Sequence, residues 1–99
     1  MNVTFSPRSL QQIEQIHIFL AERNPEAARD VVSRIQALCE GLGDFPGIGT
    51  VTDQPNVRML PVIRYPYVIF YSIFEIRNEV RILRVRHTSR MAKLSSRDT

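Results

Sequence analysis

Tyr67-Val68-Ile69-Phe70-Tyr71 decides the fold. Every residue in it is apolar or aromatic, so an extended chain here would be covered on both faces. That makes it a central strand. Strands are expected on either side of it in sequence. Residues 57–63 read as one, residues 68–74 as the second and residues 80–86 as the third. Arg77-Asn78 falls where a tight hairpin turn is needed, and Asn tolerates the positive φ of such turns. Pro61 has no N–H for a ladder, which places it at an edge or a bulge.

Outward toward the N-terminus, Gly47 to Asn56 is a turn-rich loop, and before it the period changes from two to about 3.6. Ala28, Val31, Val32, Ile35, Leu38, Cys39 and Leu42 form an apolar helical stripe that opens on Asn24-Pro25-Glu26 and ends near Gly41, Gly43 and Pro46-Gly47. An earlier stripe of Leu10, Ile13, Ile16, His17 and Leu20 opens on Ser6-Pro7, a cap followed by proline at the first helical position. Only Arg23-Asn24 links the two, so they form an antiparallel hairpin. Val3-Thr4-Phe5 alternates as a short strand. The expected fold is α+β, in the order β-α-α-β-β-β. The helical hairpin packs on one face of a C-terminal three-stranded antiparallel sheet, with an N-terminal strand besides. The whole chain, 1–99, is one domain, and about 92–99 reads as a flexible tail.

Composition excludes several classes. A hydrophobic fraction of 43% is globular. No apolar run reaches the ~20 residues that cross a membrane, and the start lacks the pattern of a signal peptide, so a cytoplasmic protein with no membrane partner is expected. With one cysteine, no internal disulfide and no Cys/His zinc set can form, and neither metal nor cofactor is implied. Charge is uneven: residues 1–56 carry a net −3 and residues 57–99 a net +6. Twelve of the thirteen cations are arginine, which suits bidentate contact with phosphate or carboxylate.

The last strand gathers that charge. Val80-Arg-Ile-Leu-Arg-Val-Arg-His-Thr-Ser-Arg90 holds Arg81, Arg84, Arg86, His87 and Arg90, a site for a polyanion or an acidic partner. Strand parity puts Arg84 and Arg86 on one face with Ile82, and His87 on the other with Leu83 and Val85. As strand-end surface charges, Arg84, Arg86 and Arg90 are expected to be dispensable for folding.

Four segments in order resemble the RelE/ParE superfamily of toxins from toxin–antitoxin modules. They are the N-terminal strand running into a Ser-Pro helix start, the Ala- and Ile-rich helix ending near Leu42-Gly-Asp-Phe-Pro46-Gly, the stretch from Val57 to Tyr71, and the strand from Val80 that closes on His87-Thr-Ser-Arg90. The resemblance covers nearly the whole chain. It implies a toxin neutralised by a cognate antitoxin, ParD-like or similar, in a hetero-oligomer. RelE-like members cleave mRNA in the ribosomal A site, whereas ParE-like members poison DNA gyrase.

Metal-free RNA cleavage needs a base, an acid and cations on the phosphate. The set available would be His87 with Arg58, Arg64 and Arg84. It is incomplete by the family's standard: the loop from Gly47 to Asn56 has no Lys or Arg, and no Tyr follows His87. The ParE-like reading, an inhibitor of gyrase with Arg84, Arg86, His87 and Arg90 on the target, is therefore preferred over the nuclease acting on ribosome and mRNA. A non-toxic nucleic-acid-binding module is a third reading, without a recognition motif behind it. His87 is equally a strand-end histidine bonded to a neighbour, His17 a core or boundary residue, Cys39 an inert small hydrophobe, and Tyr71 a core residue rather than a base-stacking one. Ile18 and Phe19 fall off the stripe of the first helix and form the expected antitoxin contact.

Overall fold

The structure, a computed structural model, describes residues 1–89. Arg90 and the tail expected over about 92–99 lie outside the described residues.

Both helix starts are set locally. Ser6 caps α1 (Pro7–Ala21) by accepting the Ser9 N–H at 3.0 Å. The same hydroxyl donates to the Leu83 carbonyl at 2.8 Å, tying the cap to the last strand. Asn24 caps α2 (Pro25–Gly41) by accepting the Ala27 N–H at 3.1 Å. Proline at the first position of each helix loses no intrahelical bond.

Five strands make one sheet: β1 (Asn2–Phe5), β2 (Thr50–Val51), β3 (Arg58–Val62), β4 (Tyr67–Phe74) and β5 (Glu79–His87). Their spatial order is β1-β5-β4-β3-β2. β3, β4 and β5 are antiparallel neighbours, as expected. The N-terminal strand joins the same sheet, parallel to β5. The loop from Gly47 to Asn56 adds β2, which pairs with Arg58 and Met59. Pro61 lies just past those two residues, where β3 is itself the edge and a missing N–H costs nothing. The expected turn is present too, with Asn78 at φ 53°.

One sheet face carries the core. Ile13, Val31 and Ile35 from the helices pack against Tyr71, Ile82 and Val85. β4 is buried on its other face as well, where Val68, Phe70 and Ser72 are each at most 5% exposed. Tyr71 locks the edge of the sheet. Its hydroxyl donates to the Pro46 carbonyl at 2.7 Å and accepts the Gly49 N–H at 2.8 Å. A Cβ at Gly49 would press on that hydroxyl and come within 2.7 Å of the Met59 carbonyl oxygen, so only glycine fits.

Two expectations for α1 change. Leu10 and His17 are exposed, and the buried side of the helix is formed by Ser9, Ile13, Ile16 and Leu20. The stripe is rotated because Gln12 faces the sheet, accepting the Val85 N–H at 2.8 Å and satisfying a donor on the part of β5 that β1 does not reach. No helix among the described residues is long and apolar enough to cross a membrane.

Candidate functional site

A bulge in β5 assembles the arginine face. Phe70 pairs with Arg84 but Tyr71 with Ile82, so Leu83 is an extra residue. Ile82 and Val85 are three apart, an odd spacing that a regular strand would put on opposite faces. The bulge lets both point into the core, at 0% and 3% exposure. It also corrects the expected parity: Arg84 and Arg86 do not share a face with Ile82. They lie with Arg81 on the face away from the helices, opposite Phe70, Val68 and Ser72. His87 stays on the core face with Val85.

The three arginines are not equivalent. Arg81 is paired: its Nε lies 3.1 Å from the Glu79 carboxylate, which also accepts from the Thr4 hydroxyl. These donors hold the Glu79 carboxyl below its ordinary value, the Thr4 hydrogen bond most of all, although burial opposes them. Arg84 has no acid beside it. Its guanidinium lies over the Phe70 ring, 4.7 Å from the centroid, and donates to the Gln54 side chain at 2.9 Å. Burial lowers its pKa, and the positive charges of Arg86 and Arg8 push the same way. The Nε atoms of Arg84 and Arg86 are buried with no partner among the described residues. Both arginines are thus more deeply seated than the strand-end surface charges expected. They present uncompensated positive charge, in Arg84 backed by the Phe70 ring, a surface suited to an anionic group.

The nuclease set is not gathered. Arg58 pairs with Tyr71 on the core-side face and donates to the Gly49 carbonyl at 2.9 Å, fastening the β2 turn. Arg84 is across the sheet from it. His87 pairs with Tyr67, four residues along β4 from the partner of Arg58, or about 13 Å at the usual rise. The His87 ring packs edge-on to Tyr67, and its Nδ1 accepts the Ser89 N–H at 3.1 Å. The same Nδ1 lies 3.0 Å from the Ser89 hydroxyl. Arg64 sits in the β3–β4 turn at φ 78°. Arg90 lies outside the described residues. Among the described residues, no group of three or more His, Cys, Asp or Glu is placed to hold a metal.

The fold has relatives. The family described as "ParE toxin of type II toxin-antitoxin system, parDE" matches residues 3–92. The chain belongs to the ParE family of type II toxins. The protein Y4kP of Sinorhizobium fredii is 29% identical over 86% of this chain and 85% of its own length. The toxin RelE2 of Caulobacter vibrioides is 28% identical over 90% and 97%. In the chromosomal ParDE system of P. aeruginosa, one chain superposes with a TM-score of 0.77 at 22% identity, covering 88% of this chain and 95% of that one. That last likeness is one of fold.

On this ParE-family toxin the helical hairpin offers a second surface. Ile18 and Phe19 are each 53% exposed, as expected, and Leu10 at 54% adds to them. Leu10 and Ile18 are two turns apart, so they line one stripe of α1. Phe19 lies on another side, with the Arg23 guanidinium stacked 4.2 Å from its ring centroid. Cys39 is buried and its thiol is pushed up to about 12, first by burial and then by the Glu40 charge, so it is inert. The contribution of Phe70 and Gln54 to the arginine face had no sequence signal beyond an aromatic in a neighbouring strand, because register and bulge decide which residues meet.

Proposed function

We propose that this toxin inhibits DNA gyrase through the arginine face and is neutralised by an antitoxin on the helical hairpin. One observation carries the choice of target. The uncompensated arginines, Arg84 and Arg86, share a face on which the Glu79 carboxylate is already held by Thr4 and Arg81, while His87 is on the opposite face with its Nδ1 against Ser89. Such a site favours binding of an anionic surface over metal-free RNA cleavage, which needs an acid and a base free to move protons. The match to the parDE family supports the same branch. An inhibitor of gyrase acts in the cytoplasm and arrests growth.

For the antitoxin, exposed Leu10, Ile18 and Phe19 favour an apolar partner segment, and a ParDE system among the structural neighbours supports a ParD-like one. Induction in bacteria tests the pair of claims together. Growth should stop, and it should resume when a cognate antitoxin is co-expressed. Uninterrupted growth at confirmed expression of folded protein would remove the toxin's proposed action.

A further inference from the structure

The β3–β4 hairpin turns through Val62-Ile63-Arg64-Tyr65, closed by the Tyr65 N–H on the Val62 carbonyl at 3.1 Å. Arg64 is the third residue, at φ 78°, and Ile63 before it keeps a negative φ. That is the pattern of a type II turn, whose third position ordinarily takes Gly, which has no Cβ to crowd the backbone, or Asn, whose short polar side chain offsets that crowding by bonding locally. The other two non-glycine residues with positive φ, Asn56 and Asn78, obey the rule. At position 64 alone, among the described residues, a long side chain occupies the left-handed region. Nothing inside the fold compensates it, since among the described residues Arg64 makes no hydrogen bond and no ion pair. It is exposed, and Ile63 beside it is 68% exposed.

The turn sits at the functional end of the sheet. Val68 pairs with Arg86 and Tyr67 with His87, and the Thr88 N–H donates to the Pro66 carbonyl at 2.8 Å. Ile63, Arg64 and Arg86 therefore share one corner, and β3, its turn and β4 contain no acidic residue. Strain that the fold itself does not use points to a role outside it.

We infer that this turn is a target-contacting element, in which the Arg64 guanidinium meets a carboxylate on a protein surface and Ile63 enters an apolar site beside it. Protein suits the corner better than RNA. An exposed isoleucine gains from a dry pocket and little from a phosphate backbone, and the nearby aromatics that could stack on bases are withdrawn, with Tyr67 only 6% exposed and Tyr65 half-buried. The identity of the partner rests on the gyrase reading, whereas the role of the turn rests on its own geometry.

Arg64→Asn separates the two. The side chain is lost but the backbone is relieved, so the variant should melt at or up to roughly 5 °C above the unaltered toxin. It should bind antitoxin normally, fail to arrest growth, and need roughly tenfold more protein to inhibit gyrase. Ile63→Asp should lose activity in the same way with the fold intact. Full growth arrest by Arg64→Asn, or a clear fall in its melting temperature, would overturn the inference. If the unaltered toxin arrests growth without inhibiting gyrase and Arg64→Asn still abolishes arrest, the gyrase reading fails and the turn keeps its role. If the unaltered toxin cuts mRNA and Arg64→Asn stops the cutting, the turn holds RNA phosphate and the protein-surface assignment is wrong.

Discussion

Arg84→Met should make the protein more stable and abolish its toxicity. Four contributions change. The guanidinium lies over the Phe70 ring at 4.7 Å, and losing that contact costs about 0.5–1 kcal/mol. A methionine thioether on the same ring returns about 0.3–1.5 kcal/mol. The exposed hydrogen bond to Gln54 is worth about 0.5–1.5 kcal/mol and is lost. Against it stands the buried Nε without a partner, whose removal gains about 1–3 kcal/mol. Repulsion from Arg86 and Arg8 is relieved in addition. The balance is about 1 kcal/mol in favour of methionine, which for a domain of this size raises the melting temperature by roughly 4–8 °C. A thermal scan reads it directly, and a urea titration with unchanged slope confirms that the two states are the same ones. Arg84→Ala is the control: without a stem over Phe70 it should gain nothing and melt lower than Arg84→Met. If charge on this face serves binding, as proposed, Arg84→Met should lose growth arrest. A fall of several degrees in Arg84→Met would show instead that the guanidinium supports the fold and that its charge is compensated there.

Other outcomes follow from single contacts. Tyr71→Phe leaves the Gly49 N–H and the Pro46 carbonyl without their shared partner, so it should cost about 2–3 kcal/mol and speed hydrogen exchange at Gly49; a loss under about 0.5 kcal/mol would mean water replaces the hydroxyl. Phe19→Asp should leave the melting temperature near its original value, since the side chain is half exposed, yet weaken antitoxin binding by about 2 kcal/mol or more; unchanged affinity in a titration would put the antitoxin elsewhere. Glu79 is held below its ordinary value of about 4.3, so its contribution is present above that pH and lost as pH falls through the lowered folded value. In Thr4→Val that acid-side loss should shrink, and identical pH–stability curves for the two proteins would rule out the Thr4–Glu79 bond as a cause.

The sequence showed the frame where a pattern was long enough to show it. β4 was evident from five apolar residues in a row, and both helix starts from a cap followed by proline. β2 could not be read, because two residues carry no period and what recruits them is a distant tyrosine hydroxyl. The bulge at Leu83 did have a trace, the odd spacing between Ile82 and Val85, but parity counted as if the strand were regular assigned Arg84 and Arg86 to the wrong face. Leu10 and His17 were misplaced for a similar reason: Gln12 is polar, so a count of apolar residues cannot see that it faces the sheet. In the site, the cluster of arginines was visible as charge. That Arg81 is paired while Arg84 and Arg86 are not depends on Thr4 and Glu79, residues far apart in sequence that the parallel pairing of β1 with β5 brings together. The strain at Arg64 likewise appears only once φ is known.

The arginine face is proposed to bind gyrase and to do no chemistry on RNA. The most direct test is a supercoiling assay with purified toxin and purified gyrase, run beside a primer-extension assay on translating ribosomes with the same protein. Supercoiling should be inhibited, antitoxin should reverse the inhibition, Arg84→Met should abolish it, and mRNA in the ribosomal A site should stay whole. Undisturbed supercoiling together with codon-specific cuts that disappear in His87→Ala would contradict the proposal and make His87 catalytic.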